Sequence, residues 1–140
     1  MDESAAPDDP DVTALAAVAR EYGHHAGRRF FAGVALDTGR RALTVYRVPN
    51  PDFDGEILRL LEGDVAVSLA DAPHTREELL VAREQVWGLS GSLPITSVSV
   101  PVDGTRLLVV AEAPESDVQA ALDRVVPGLA VASTGRAALR

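Results

Sequence analysis

Hydrophobic and polar positions along this chain follow two rhythms, and the switches between them predict its elements. Asp9-Pro10 offers a side-chain acceptor followed by a residue with preset φ, which is good helix-start chemistry. Val12, Leu15, Ala16, Ala19 and Tyr22 then recur three or four residues apart and mark one apolar stripe that ends before Gly23. From Phe30 the period becomes two. Ala32, Val34 and Leu36 fall on one face and Gly33, Ala35 and Asp37 on the other, as in a strand. Asp37-Thr38-Gly39-Arg40 supplies a turn, and Leu43, Val45 and Arg47 alternate with Ala42, Thr44, Tyr46 and Val48 in a returning strand. Asn50-Pro51 opens a second helix with Phe53, Ile57, Leu60 and Leu61 as its stripe. Gly63 ends that helix, and Val65, Val67 and Leu69 make a third strand.

The second half repeats this order. Ile95 to Val102 reads as a strand, Asp103-Gly104 as a tight hairpin turn, and Leu107 to Ala111 as the returning strand. Ala113-Pro114 opens a helix on Val118, Ala121, Leu122 and Val125; Pro127-Gly128 stops it, and Leu129 and Val131 begin a last strand. Matching landmarks (Asp37 with Asp103, Pro51 with Pro114, Gly63 with Gly128) lie 63 to 66 residues apart. Between the halves, Thr75 and Glu78 have capping-box spacing, which predicts a linker helix with Leu79, Leu80, Val86 and Trp87 as its buried face and a loop from Gly88 to Gly91.

The fold class expected is therefore α/β of the α+β kind, a pair of duplicated β-β-α-β units. Each is a small mixed sheet covered by a helix through a right-handed crossover. A linker helix joins the units, and an extra N-terminal helix precedes them. The organisation reads as a disordered acidic tail over 1–9, an N-terminal helix and connector over 10–29, the first unit over 30–71, the linker helix and loop over 72–94, the second unit over 95–132, and a tail over 133–140. Two separate sheets and one joined sheet both satisfy the pattern.

Composition narrows the function classes. With 140 residues, 46% hydrophobic and 24% charged, the chain has the balance of an ordinary globular protein at the size of a single domain, which makes one real core possible without staples. Its 21 acidic against 13 basic residues give a net charge of -8, which repels nucleic acid and anionic lipid. All the basic residues are Arg and none is Lys, as a GC-rich genome produces. No cysteine is present, so disulfides and thiolate chemistry are excluded. Met1-Asp2-Glu3-Ser4 lacks the positive and apolar regions of a secretory signal, and no apolar run approaches the ~20 residues of a membrane span, so the expected location is the cytoplasm.

No chemistry-bearing constellation stands out. His24 and His25 are adjacent, and neighbouring helical positions point about 100° apart, which suits helix-end cations better than a shared metal ion. Asp71 and His74 shape the turn before the Thr75 cap, and no serine sits in a G-x-S-x-G elbow. The Gly88-to-Ser92 segment lacks a G-K-[ST] ending and follows a helix, so it reads as a connector. Asp52, Asp54, Glu77 and Glu78 lie at helix starts, where acids complement the helix dipole. No catalytic, metal or cofactor residues are therefore expected. Trp87 is expected in the core first and as a binding anchor second.

The run Phe31-Ala32-Gly33-Val34-Ala35-Leu36-Asp37, then Leu43-Thr44-Val45, a helix, a valine strand and a linker helix leads to Ile95-Thr96-Ser97-Val98-Ser99-Val100, Asp103-Gly104 and Leu107-Leu108-Val109-Val110. Over roughly residues 30 to 132 this order resembles the prodomain of secreted bacterial chymotrypsin-like proteases of the α-lytic type, which consists of two small α/β lobes. The resemblance implies a folding catalyst or inhibitor that pairs a sheet edge of its C-terminal lobe with the enzyme and places its tail in the cleft. On that basis Leu107, Val109 and Ala111 of a pairing strand, and Arg136, Leu139 and Arg140 of the tail, would carry the partner contact. The extra helix before Tyr22, and the lack of a leader or a following protease, depart from the family. The expectation that survives is a non-catalytic protein-binding or regulatory module; the alternatives are a small-ligand sensor with its site between the lobes, or an unrecognised enzyme.

Overall fold

Val12, Ala16 and Ala19 lie along one side of the first helix and are fully buried, so the stripe read along the chain is the side on which the helix docks. The computed structural model describes residues 10–133; the tails assigned to 1–9 and to the residues after Ser133 lie outside the described residues. In chain order the elements are α1 (Pro10–His24), β1 (Phe31–Asp37), β2 (Ala42–Arg47), α2 (Pro51–Leu60), β3 (Ala66–Asp71), α3 (Arg76–Trp87), β4 (Ile95–Ser99), β5 (Leu107–Ala111), α4 (Glu115–Val125) and β6 (Ala130–Ser133).

Local chemistry sets the helix starts. The Asn50 side chain accepts the Phe53 N–H at 3.0 Å with Pro51 in the first turn of α2, and Thr75 and Glu78 exchange both bonds of a capping box at the start of α3. Two separate three-stranded sheets result, ordered β1-β2-β3 and β4-β5-β6. In each, the first pair is antiparallel and the second parallel, with α2 or α4 as the crossover. The strand connectivity of the two units is therefore the same.

The likeness extends one element further than the strands. The first core joins Val12, Ala16 and Ala19 of α1 to Leu43 and Val45 of β2 and to Phe53, Ile57 and Leu61. The second joins Leu79, Ala82 and Val86 of α3 to Leu107 and Val109 of β5 and to Val118, Leu122 and Val126. The helices read as an extra N-terminal element and a linker thus hold matching positions, and the repeated unit is α-β-β-α-β. Trp87 does not join the core: it is 38% exposed, because the inward positions of α3 are 79, 82 and 86, and residue 87 lies about 100° round from the last of them. Leu80 is half-buried and outside the core cluster for the same reason.

Each first strand carries a bulge at the same point, between Phe31 and Gly33 and between Ile95 and Ser97. The bulge breaks the simple alternation expected for β1. Phe31 and Val34 enter the first core, while Ala32 is buried away from it and Leu36 is exposed.

The hairpins differ. In the first lobe pairing runs on to Asp37 opposite Ala42, around a short turn. In the second lobe pairing stops at Ser99 opposite Leu108 and residues 100–106 leave the sheet, so Asp103-Gly104 turns the chain, with the Gly104 N–H donating to the Pro101 carbonyl at 3.2 Å, without closing a tight two-residue hairpin. Pro101 has no N–H to give a ladder. The freed loop instead lies on the first lobe, where the His74 N–H donates to the Gly104 carbonyl at 3.2 Å. Two glycines permit the approach. A β-carbon on Gly33 would collide with the Val102 carbonyl oxygen, and one on Gly104, whose φ is +69°, would collide with the His74 carbonyl and come within 2.9 Å of the Ala32 and Ala72 β-carbons.

Candidate functional site

Leu107, Val109 and Ala111 all lie on β5 and are buried in the second core. Strand β5 is the middle strand of its sheet, hydrogen-bonded to β4 on one side and β6 on the other. A strand paired on both sides has no backbone groups left for a third, so the edge role attached to these residues by the prodomain resemblance is not available to them. Arg136, Leu139 and Arg140 lie outside the described residues. A partner strand can only meet an outer strand, which directs attention to β1, β3, β4 and β6.

Three of these four edges are obstructed or flanked by charge. Strand β6 is closed by a side chain: Gln119 of α4 donates from Nε2 to the Ala130 carbonyl at 3.2 Å and accepts the Ala132 N–H at Oε1 at 2.8 Å. That pair of bonds occupies the groups a parallel neighbour would use. Strand β1 is buried from Phe31 to Val34, where α3 and the 100–106 loop lie against it. Strand β3 is bracketed by Asp64 and Asp71, and Asp71 is engaged by Arg47 of β2 at 2.7 Å. Arg47, itself only 8% exposed, also grips Asp54 of α2 through two bonds of 2.7 and 2.8 Å. These bonds hold the Asp54 carboxyl below the usual carboxylate range and raise the guanidinium pKa.

Strand β4 is different. No backbone bond reaches it from a further strand among the described residues, and Thr96, Ser97 and Ser99 are exposed. Natural edge strands are usually protected by Lys, other charges or Pro. Here residues 85–102, eighteen positions that include the exposed Trp87 and Val102, contain no Asp, Glu, Arg, Lys or His. Pro94 and Pro101 flank the strand without entering it. A charge-free run of this length in a chain that is 24% charged is the signal that points to β4.

The described residues contain no group of three or more His, Asp or Glu placed to hold a metal ion, and no helix among them is long and apolar enough to cross a membrane. His24 and His25 point to different surroundings. His24 meets the Phe31 ring edge-on at 5.6 Å, whereas His25 lies 3.4 Å from Glu21. Neither a protein-family model nor a curated protein sequence matches the chain.

Proposed function

We propose that this chain is a cytoplasmic protein-binding module whose second lobe accepts an extended segment of its partner as a fourth strand beside β4. The observation that carries this reading is the contrast of edges: the outer side of β4 has no strand partner among the described residues and no charge, while its sister edge β6 is closed by Gln119. Added strands bind through main-chain hydrogen bonds and gain selectivity from alternate side chains. The partner's side chains would meet the exposed Thr96, Ser97 and Ser99 and the neighbouring Leu108. The prodomain resemblance favours the same kind of contact, moved from the middle strand to an outer one.

The test is affinity capture with the full chain and with a Ser97→Lys/Ser99→Lys pair, which places charges on the edge without touching the core. Loss of the captured protein on the double substitution, together with slower amide exchange over 95–99 in the wild-type complex, supports β4. A chain lacking residues 134–140 separates this contact from one made by Arg136, Leu139 and Arg140. Capture that survives the lysines and fails on truncation assigns the surface to the tail and removes β4 from consideration.

A further inference from the structure

The seam between the lobes opens on one side into a cleft of about 320 Å³, at the lower end of the roughly 300–1,000 Å³ typical of small-molecule sites. Its floor is apolar and includes Phe31 and Val34 of β1, Leu80 of α3 and Val102 of the second hairpin. Its rim is basic. Arg20 and His24 stand one turn apart on α1, and Arg76 and Arg83 stand two turns apart on α3.

Several arginines elsewhere in the described residues are ion-paired. Arg28, Arg40, Arg41, Arg47 and Arg59 each have a carboxylate within ion-pair distance. Among the described residues Arg20, Arg76 and Arg83 have none, as is true of Arg29, Arg106 and Arg124, but the first three line one cleft, in a chain with 21 acidic residues and only 13 basic ones. Guanidinium groups from two helices that line one cleft present positive charge to it, and an anion is their natural partner. The imidazole of His24 feels the same field. Partial desolvation and the charges of Arg76, His25 and Arg20 push it below the usual imidazole range, against the opposing pull of Glu21.

We propose that this cleft binds a small organic phosphate monoester, with its oxygens held by Arg20, Arg76 and Arg83 and its apolar body resting on Phe31, Leu80 and Val102. A tetrahedral dianion matches the arrangement better than a carboxylate, because it presents three oxygens to guanidinium groups approaching from separate helices, whereas one planar fork satisfies a carboxylate. The site is separate from the β4 edge, and either proposal stands without the other. A bound dianion offsets the positive field at His24 and raises its affinity for a proton.

The test titrates phenyl phosphate into the full chain, with benzyl alcohol as the uncharged analogue, and follows backbone and His24 resonances by NMR. Expected are saturable shifts at residues 20, 24, 76, 83 and 102 with phenyl phosphate alone, and an upward move of the His24 titration midpoint. Arg76→Gln or Arg83→Gln weakens binding by about tenfold or more, the usual scale for a charged hydrogen bond, and Arg76→Lys restores it only in part. No saturable shift up to roughly 10 mM, shifts centred elsewhere, or unchanged binding in the glutamine variants overturns the proposal. Circular dichroism confirms that each variant is folded. Should one fail to fold, the wild-type His24 midpoint with and without phenyl phosphate decides, since an unoccupied cleft leaves it where it was.

Discussion

The two lobes place their inward side chains on the same backbone plan, yet they differ at one position. The residue two places along the central strand from Val45 is Arg47, and the residue two places along from Val109 is Ala111; both are buried. In the first lobe the arginine ties the sheet to α2 through Asp54 and to the end of β3 through Asp71. In the second lobe the small alanine leaves no such reach, and Gln119 of α4 bonds the backbone of β6 directly. One lobe is fastened by charge on its interior side and the other by a neutral amide on its outer edge. A duplicated topology thus fixes where helices and strands lie, but not how each helix is tied to its sheet. That second choice decides which edges remain open.

Ile57→Ala and Leu122→Ala probe the likeness most strongly. The two side chains hold the same central place in their helices and are fully buried, so each substitution should lower stability by about 2–5 kcal/mol, read from the denaturant midpoint at constant m-value. A large loss at one site and a small loss at the other breaks the equivalence of the cores. Next in size is the difference between hairpins. Gly104→Ala places a β-carbon against the His74 carbonyl in a left-handed backbone and should cost about 2–4 kcal/mol. Gly39→Ala, in the first hairpin, meets only the Asp37 carboxylate at 3.6 Å and should change stability by less than about 1 kcal/mol.

The fastenings themselves should be distinguishable by acid. Asp54→Asn weakens a charged contact to a buried arginine and should cost about 2 kcal/mol, whereas Gln119→Ala removes neutral bonds worth about 1 kcal/mol. The Asp54 carboxyl titrates lower folded than unfolded, because Arg47 hydrogen-bonds its ionised form. Its contribution is therefore complete above the unfolded carboxylate pKa of about 3.9 and drains away as pH falls through the lower folded value. Gln119 has no proton to gain. Amide exchange followed from pH 6 towards pH 3 should accordingly show α2 losing protection as this contact weakens while the tie between α4 and β6 keeps its own.

Much of this architecture was readable from periodicity and caps. The stripes on Val12-Ala16-Ala19 and Phe53-Ile57-Leu61 marked the first core, and the Thr75–Glu78 box started α3 within one residue of its place. Three features escaped. The bulges at Ala32 and Thr96 shift facing without altering composition, so alternation alone put Ala32 beside Val34. Asp103-Gly104 carries the sequence of a tight turn, but the same glycine freedom serves a long-range contact with His74, Ala32 and Ala72, which no local rule sees. Sheet order was the third. Leu107 to Ala111 is as β-prone at the centre of a sheet as at its edge, and the central placement emerges only when β6 returns parallel to it. The cleft arginines come from segments more than fifty residues apart, so only folding brings them together.

The seam between the lobes has a direction. The second hairpin rests on Gly33 of β1, while Ser97, which follows the matching bulge in β4, is exposed, and so are Gly39, Arg40 and Arg41 of the first hairpin. Ser97 carries a β-carbon where any such atom on Gly33 would strike the Val102 carbonyl, so the bare backbone that receives the hairpin in the first lobe has no counterpart in the second. A single hydroxymethyl group, missing at residue 33 and present at residue 97, gives the seam its direction.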